Sequence, residues 1–99
     1  MNGPKPGGFW TSAANKSGDM LLRAGQRYAV VTPFTDYDGD QHPVGESWIF
    51  LSQYFLPYDD GLSLFVSIDG NSEWHIRLQW RPEAQGQIIE HLHKFVIPA

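Results

Sequence analysis

Cysteine is absent from the 99 residues of the sequence, so the chain contains neither a disulfide framework nor a thiolate metal site. Its absence is compatible with a reducing compartment, and we expect a cytoplasmic protein. Long hydrophobic runs are also absent, since no stretch approaches the roughly 20 apolar residues that span a bilayer. The first residues lack the charged and then apolar pattern of a signal peptide. The sequence therefore predicts a soluble protein that does not associate with a membrane.

Positive charge is scarce. Seven Lys and Arg residues stand against eleven Asp and Glu residues, which gives a net charge of -4. Nucleic-acid binding normally depends on a dense basic surface, so this balance argues against DNA or RNA as the partner. One local pair of cations, Arg77 and Arg81, remains able to bind a single phosphate or carboxylate.

The motifs of common enzyme classes are missing as well. The sequence has no G-x-S-x-G elbow, no phosphate-binding glycine loop and no H-E-x-x-H pair. Asp36, Asp38 and Asp40 alternate like the first ligands of an EF-hand loop. However, Gln41 occupies the position that requires glycine, and Ser47 occupies the position that requires glutamate. We therefore predict neither a metal nor a cofactor.

The residues that are present favour one folded domain. Hydrophobic residues make up 41% of the chain and aromatic residues 14%, which is far from the composition of a disordered protein. Residues 1–20 are rich in Gly and Pro without periodicity, and they predict a flexible N-terminal arm. Residues 21–97 are predicted to form a single globular domain.

Alternating and β-branched segments predict antiparallel strands joined by short polar loops, over about residues 28–32, 47–55, 62–68 and 73–80. After Arg81, Pro82 and Glu83 predict the start of one C-terminal helix. Its apolar stripe is expected to cover Trp48 and Phe50. The predicted fold is mainly β, of the α+β type. It is either a small SH3-like antiparallel barrel or a strongly bent sheet of four to five strands with one C-terminal helix.

Three segments resemble a family of small uncharacterised bacterial proteins, the domain of unknown function numbered 3601: PFTDYDGDQHPVGESW, FLPYDDGLSLFV and WHIRLQWRPEAQGQII. The resemblance covers about residues 21–95. It implies no substrate, activity or cofactor.

Two loops combine aspartates with tyrosine, proline and glycine; one begins at Phe34 and the other at Phe55. Aromatic side chains on the surface beside acidic loops are typical of SH3-type domains, which bind proline-rich peptides with basic flanks. By this analogy we predict a non-catalytic protein- or peptide-interaction module with a basic or proline-rich partner. The predicted binding residues are Tyr37, Asp38, Trp48, Tyr58, Asp59 and Arg77.

Other interpretations stay open. In a small hydrolase or cation-dependent enzyme, Asp36, Asp38 and Asp59 would converge with His42 or His75. In a purely structural interpretation, the aspartates shape turns by accepting backbone hydrogen bonds, and the rings form small cores. His42, which precedes Pro43, is then a loop residue, and His75 lies beside Arg77 on a solvated strand face.

Overall fold

The structure, a computed structural model, describes residues 1–12, 21–56, 61–81 and 83–99. These ranges contain strands β1 (Asn2–Pro6), β2 (Arg27–Val30), β3 (Phe34–Thr35), β4 (Gln41–His42), β5 (Ser47–Leu56), β6 (Gly61–Ser67), β7 (Ser72–Gln79) and β8 (Val96–Pro98), and helices α1 (Gly86–Glu90) and α2 (Leu92–Phe95).

Six of the strands form one antiparallel sheet in the order β1-β7-β6-β5-β2-β8, and β3 pairs with β4 in a separate hairpin. The predicted mainly β, antiparallel architecture is confirmed. Strands β1 and β8 are the two edges of the sheet, so it does not close into a barrel within the described ranges. The SH3-like barrel is therefore not confirmed, and the sheet has more strands than the four to five predicted.

The hydrophobic core lies against one face of this sheet, which we call the inner face. Strand alternation places Leu62 and Leu64 of β6 opposite Leu78 and Ile76 of β7 on this face. Trp48 and Phe50 of β5, Ile89 of α1 and Leu92 of α2 belong to the same buried cluster. The C-terminal helical segment thus contributes to the same core as Trp48 and Phe50.

The helical segment is shorter than predicted and ends in a strand. His91 separates α1 from α2, and Val96 then pairs with Val30 of β2. Helix α1 begins at Gly86, where a Cβ atom would lie 2.8 Å from the carbonyl oxygen of Arg81. This close approach requires glycine. Neither helix among the described residues is long and apolar enough to cross a membrane.

The N-terminal segment is part of the sheet. Strand β1 pairs antiparallel with β7, with Asn2 opposite His75 and Lys5 opposite Glu73. Further along, the Trp10 ring stacks on Phe65 with ring centroids 5.9 Å apart. Residues 1–12 therefore do not form the flexible arm that the composition predicts; residues 13–20 lie outside the described residues.

Candidate functional site

The face of the sheet opposite the core, which we call the outer face, carries polar and aromatic side chains. Ser63 lies opposite Arg77, and Phe65 lies opposite His75. The register of β5 shifts between Phe50 and Ser52, so Leu51 is an extra residue in the strand. This bulge aligns Ser52 with Phe65, and Tyr54 with Ser63, on the outer face.

One half of the outer face, the covered half, lies beneath residues 8–11. The carboxylate of Glu73 accepts hydrogen bonds from the backbone N–H groups of Gly8 (2.7 Å), Trp10 (2.9 Å) and Thr11 (3.1 Å), and from the Thr11 hydroxyl (2.5 Å). Glu73 is only 3% exposed. Burial alone would raise the pKa of Glu73, but these hydrogen bonds outweigh it and the pKa is lowered. A buried and ionised carboxylate therefore fixes the N-terminal segment to the sheet.

The other half, the open half, contains a groove of about 500 Å³, which we call the outer groove. Its volume lies within the range of about 300–1,000 Å³ that is typical of ligand pockets. It follows the ends of β6 and β7 and is bounded by the loop that joins β3 to β4. Among the described residues, those that line it are Tyr37, Gly61, Leu62, Ser63, His75, Arg77, Leu78, Gln79 and Arg81.

The loop between β3 and β4 is shaped by Asp36. One carboxylate oxygen of Asp36 accepts hydrogen bonds from the backbone N–H groups of Asp38 and Asp40, both at 3.0 Å. Gly39 has a φ of +89°, a conformation that glycine adopts without steric cost. The interpretation of this aspartate as a turn former is confirmed. Tyr37 lies at the start of this turn, where its backbone N–H donates to the carbonyl oxygen of Arg77 at 2.8 Å.

His42 anchors the same loop from inside the protein. Its Nε2 lies 2.8 Å from the other carboxylate oxygen of Asp36, and its Nδ1 lies 2.5 Å from Glu46. The ring of Phe34 stacks on it with centroids 4.6 Å apart. With 1% of its surface exposed, His42 is a buried residue, and it lies in β4 and not in the loop predicted from its position before Pro43.

The charges of this cluster follow from its contacts. Burial by itself lowers the pKa of His42, but the hydrogen bonds to Glu46 and Asp36 outweigh it, so the pKa is raised. Burial likewise raises the pKa of Asp36, whereas the hydrogen bonds from His42 and from the backbone of Asp40 lower it, and the net shift is downward. The contacts with Asp36 and Glu46 therefore favour the protonated form of the His42 imidazole.

Three of the predicted binding residues come together at the outer groove. The Arg77 guanidinium carbon lies 5.4 Å from the centre of the Tyr37 ring. Nη1 of Arg77 lies 3.7 Å from Oδ1 of Asp38, and Asn2 donates a hydrogen bond to the other oxygen of Asp38 at 3.0 Å. Tyr37 is 50% exposed, so the ring is accessible at the edge of the groove.

The prediction for Trp48 is wrong. This side chain is 0% exposed, and its indole N–H donates to Glu46 at 3.1 Å, so it packs in the core and cannot contact a ligand. Tyr58 and Asp59 lie outside the described residues. Gly61, which lines the outer groove, follows this second acidic loop in the sequence.

His75 lies inside the outer groove, with its Nε2 2.7 Å from the hydroxyl of Ser63. Burial lowers the pKa of His75, and the positive charge of Arg77 lowers it further, so the ring is neutral near pH 7. Within the described part of the chain, no carboxylate hydrogen-bonds to Nδ1 of this ring. The Ser63–His75 pair therefore lacks the third group that orients the base in serine hydrolases.

The enzyme alternative requires loop carboxylates that converge on a reacting group or a cation. The carboxylate of Asp36 instead bonds to His42 and to backbone N–H groups of its own loop. In the ranges that the structure describes, no group of three or more His, Asp or Glu side chains is arranged to hold a metal ion.

Comparisons with known proteins agree on a family. Residues 10–97 match a family model described as a domain of unknown function (DUF3601). Among solved structures, an integron cassette protein from the mobile metagenome of Vibrio cholerae is 42% identical, with a TM-score of 0.75 over 80% of this chain and 87% of that one. No curated protein matches the chain significantly. The resemblance predicted from residues 21–95 is confirmed, and the match includes every residue that lines the outer groove.

Proposed function

Because the chain belongs to the DUF3601 family, whose name carries no activity, we propose its function from the site itself: a non-catalytic module that binds a segment of a partner protein or peptide in the outer groove. The proposal retains Tyr37, Asp38 and Arg77 as binding residues. It also includes Tyr58 and Asp59, because their loop leads in sequence into Gly61 of the groove wall.

The observation that carries the proposal is the accessible Tyr37 ring with Arg77 against it, at the edge of a groove of about 500 Å³. Tyrosine and arginine are enriched among the few residues that supply most of the binding energy of protein interfaces. A solvated aromatic ring contributes little to folding, so its accessible position favours a role in binding.

The support beneath Tyr37 strengthens the proposal. Asp36 closes the turn that carries the ring, and buried His42 fixes Asp36. A loop held in one conformation loses less entropy when a ligand binds. The outer groove therefore presents its aromatic contact already ordered.

Selection of a phage-displayed random peptide library on the full chain tests this function. The matched variants are Tyr37→Ala and Tyr54→Ala, because Tyr54 is also exposed on the outer face, at 39%, but does not line the groove. Enriched peptides should bind the native chain and Tyr54→Ala equally, and Tyr37→Ala should weaken them about tenfold or more. Failure to enrich any peptide, or equal binding to all three proteins, would overturn the proposal.

A second candidate, a small hydrolase, is favoured by one contact, the 2.7 Å approach of Ser63 to His75. A fluorophosphonate tests it directly. The Ser63 oxygen would attack phosphorus, fluoride would leave, and Nε2 of His75 would take the hydroxyl proton. The covalent adduct would appear in the intact mass of the native chain but not of Ser63→Ala. A native chain that stays unlabelled excludes this candidate.

A further inference from the structure

We propose that the segment bound in the outer groove is acidic, and that one of its carboxylates binds at Arg77 with Arg81 as a second cation. This inference rests on the proposed function of the groove and specifies the chemistry of its ligand. It reverses the basic or proline-rich partner that the loop composition favours, and it makes Asp38 the group that the ligand displaces from Arg77 and not one that contacts the ligand.

The distribution of charge is the first argument. The whole chain has seven Lys and Arg residues and a net charge of -4. Two of those seven cations line the outer groove, whereas no Asp or Glu appears among its described lining residues. Asp38 offsets part of the charge of Arg77 at the edge of the groove, but the two guanidinium groups are the charged groups among the described lining residues, and they can attract an anion.

The state of Arg77 is the second argument. Its contact with Asp38 is 3.7 Å long, and the two side chains are 47% and 26% exposed. Exposed ion pairs of this kind contribute only about 0–1 kcal/mol. Asn2 holds the other oxygen of Asp38. A ligand carboxylate can therefore replace Asp38 at Arg77 at little cost.

The remaining groups of the groove suit an oxyanion. The hydroxyls of Tyr37 and Ser63 can donate hydrogen bonds, and the Tyr37 ring lies against the Arg77 guanidinium. Arginine presents a planar set of N–H donors that matches the two oxygens of a carboxylate. A groove of about 500 Å³ is larger than one oxyanion needs, so we assign it to a peptide segment and not to a free ion.

The peptides selected for the proposed function provide the test. Those whose binding requires Tyr37 should be enriched in Asp and Glu. The tightest of them is synthesised together with a version in which each Glu and Asp is replaced by Gln and Asn, and both are measured by fluorescence anisotropy with the full chain. The amide version should bind about tenfold more weakly or worse, and raised salt should weaken the acidic peptide.

Two variants with the same change of charge locate the contact. Arg77→Gln should weaken the acidic peptide about tenfold, which equals about 1.4 kcal/mol. Arg23→Gln, at an exposed site outside the groove, should leave binding within about twofold. Equal effects of the two variants would show a general charge effect and overturn the assignment to Arg77.

The outcomes separate the two proposals. Tyr37-dependent peptides that are basic or proline-rich would overturn the acidic ligand and leave the binding module intact. A phosphoserine version that binds more tightly than the acidic peptide would replace carboxylate by phosphate as the preferred group and overturn the carboxylate assignment. A library without Tyr37-dependent peptides would overturn both proposals.

Discussion

Strands β6 and β7 form both halves of the outer face, and the two halves differ in how their polar groups are satisfied. In the covered half, Glu73 is buried and accepts hydrogen bonds from three backbone N–H groups and one hydroxyl. In the open half, Arg77 is exposed, and its contacts are a long ion pair with Asp38 and the ring of Tyr37. The same pair of strands thus supports a structural contact at one end and an accessible cation at the other.

The comparison separates stability from binding. Groups that are buried and fully bonded contribute to the native state, because any substitution leaves a donor or acceptor unsatisfied. Groups that are accessible and loosely bonded can change partners at little cost. The comparison therefore predicts that substitutions beneath the two halves destabilise the protein, whereas substitutions within the outer groove do not.

The largest effect is expected for His42→Ala, which removes the imidazole between buried Asp36 and half-buried Glu46. Among the described residues, the N-terminal ammonium of Met1, 3.3 Å from Asp36, is then the remaining cation there. Removing one partner of a buried charged pair typically costs about 3–5 kcal/mol in the free energy of unfolding. Urea unfolding of the variant measures this loss. His93→Ala at an exposed position is the control and should change stability by less than about 0.5 kcal/mol. A loss below about 1 kcal/mol for His42→Ala would contradict a buried ionic anchor.

Glu73→Gln should have the next largest effect. Glutamine keeps the volume of the side chain but removes the charge that four donors share, and hydrogen bonds to charged groups contribute about 1.5–3 kcal/mol. We expect a loss of about 2 kcal/mol in urea, together with shifted amide resonances of Gly8, Trp10 and Thr11. Glu90→Gln, which is exposed, provides the charge-matched control. Unchanged resonances would mean that Glu73 does not hold the N-terminal segment.

The pH dependence of stability distinguishes the two anchors. The pKa of His42 is raised in the folded protein. Its contribution is therefore complete below the unfolded value of 6.5 and is lost as the pH rises through the folded pKa. The pKa of Glu73 is lowered, so its contribution is present above the unfolded value of 4.5 and is lost as the pH falls through the folded pKa. Urea midpoints measured from about pH 3 to 9 should decline on both sides.

In that series, Glu73→Gln should flatten the acid side alone, and the alkaline decline should persist. Asp36, whose pKa is also lowered, maintains part of the acid decline in this variant. The ring C–H resonances of His42 provide a direct readout, since they should titrate above pH 6.5. A titration below that value would contradict the protonated imidazole between two carboxylates.

The smallest effect on stability is expected in the open half. Tyr37→Ala and Arg77→Gln remove accessible side chains, and surface substitutions usually change stability by less than about 0.5 kcal/mol. Thermal and urea unfolding should therefore be close to those of the native chain, even though both variants are expected to lose ligand. A loss above about 1.5 kcal/mol would show that these residues act in folding, and the two halves would no longer differ.

Four strands of the sheet could be predicted because their side chains alternate between core and solvent, as in Leu62, Leu64 and Val66. The edge strands could not. Strand β1 has the sequence NGPKP, which contains no apolar alternation, and all of its residues are exposed. Val96 of β8 follows Leu92 at helical spacing, so the sequence pattern continues a helix where the chain forms a strand.

The candidate site could be predicted only where exposure follows from local sequence. Tyr37 and Asp38 lie in a turn, and Arg77 alternates with core residues. Trp48 lies in a strand that is apolar on both faces near its middle, so alternation does not tell which face meets the core.

The two anchors of the outer face were missed for a different reason. His42 has one carboxylate six residues before it and another four residues after it, but only the folded loop turns both towards the ring. Glu73 bonds to donors 62 to 65 residues away in the chain, which no local pattern indicates. Sequence periodicity records burial along an element, whereas these contacts join separate elements.

The extra residue at Leu51 divides β5 into two parts. Side chains at even positions point to one face of the sheet before Leu51 and to the opposite face after it. Trp48 and Phe50 point into the core before it, and Ser52 and Tyr54 point outward after it. If Leu51 took a regular place in the pleat, strict alternation would turn Ser52 and Tyr54 towards the interior and Phe55 towards water. Deleting Leu51 would instead put Ser52 directly after Phe50 and leave their faces and partners unchanged. The bulge therefore lets residues at even positions face the core in the first part of β5 and the outer face in the second part, and the strand tolerates the loss of Leu51 better than the insertion or loss of a residue elsewhere along it.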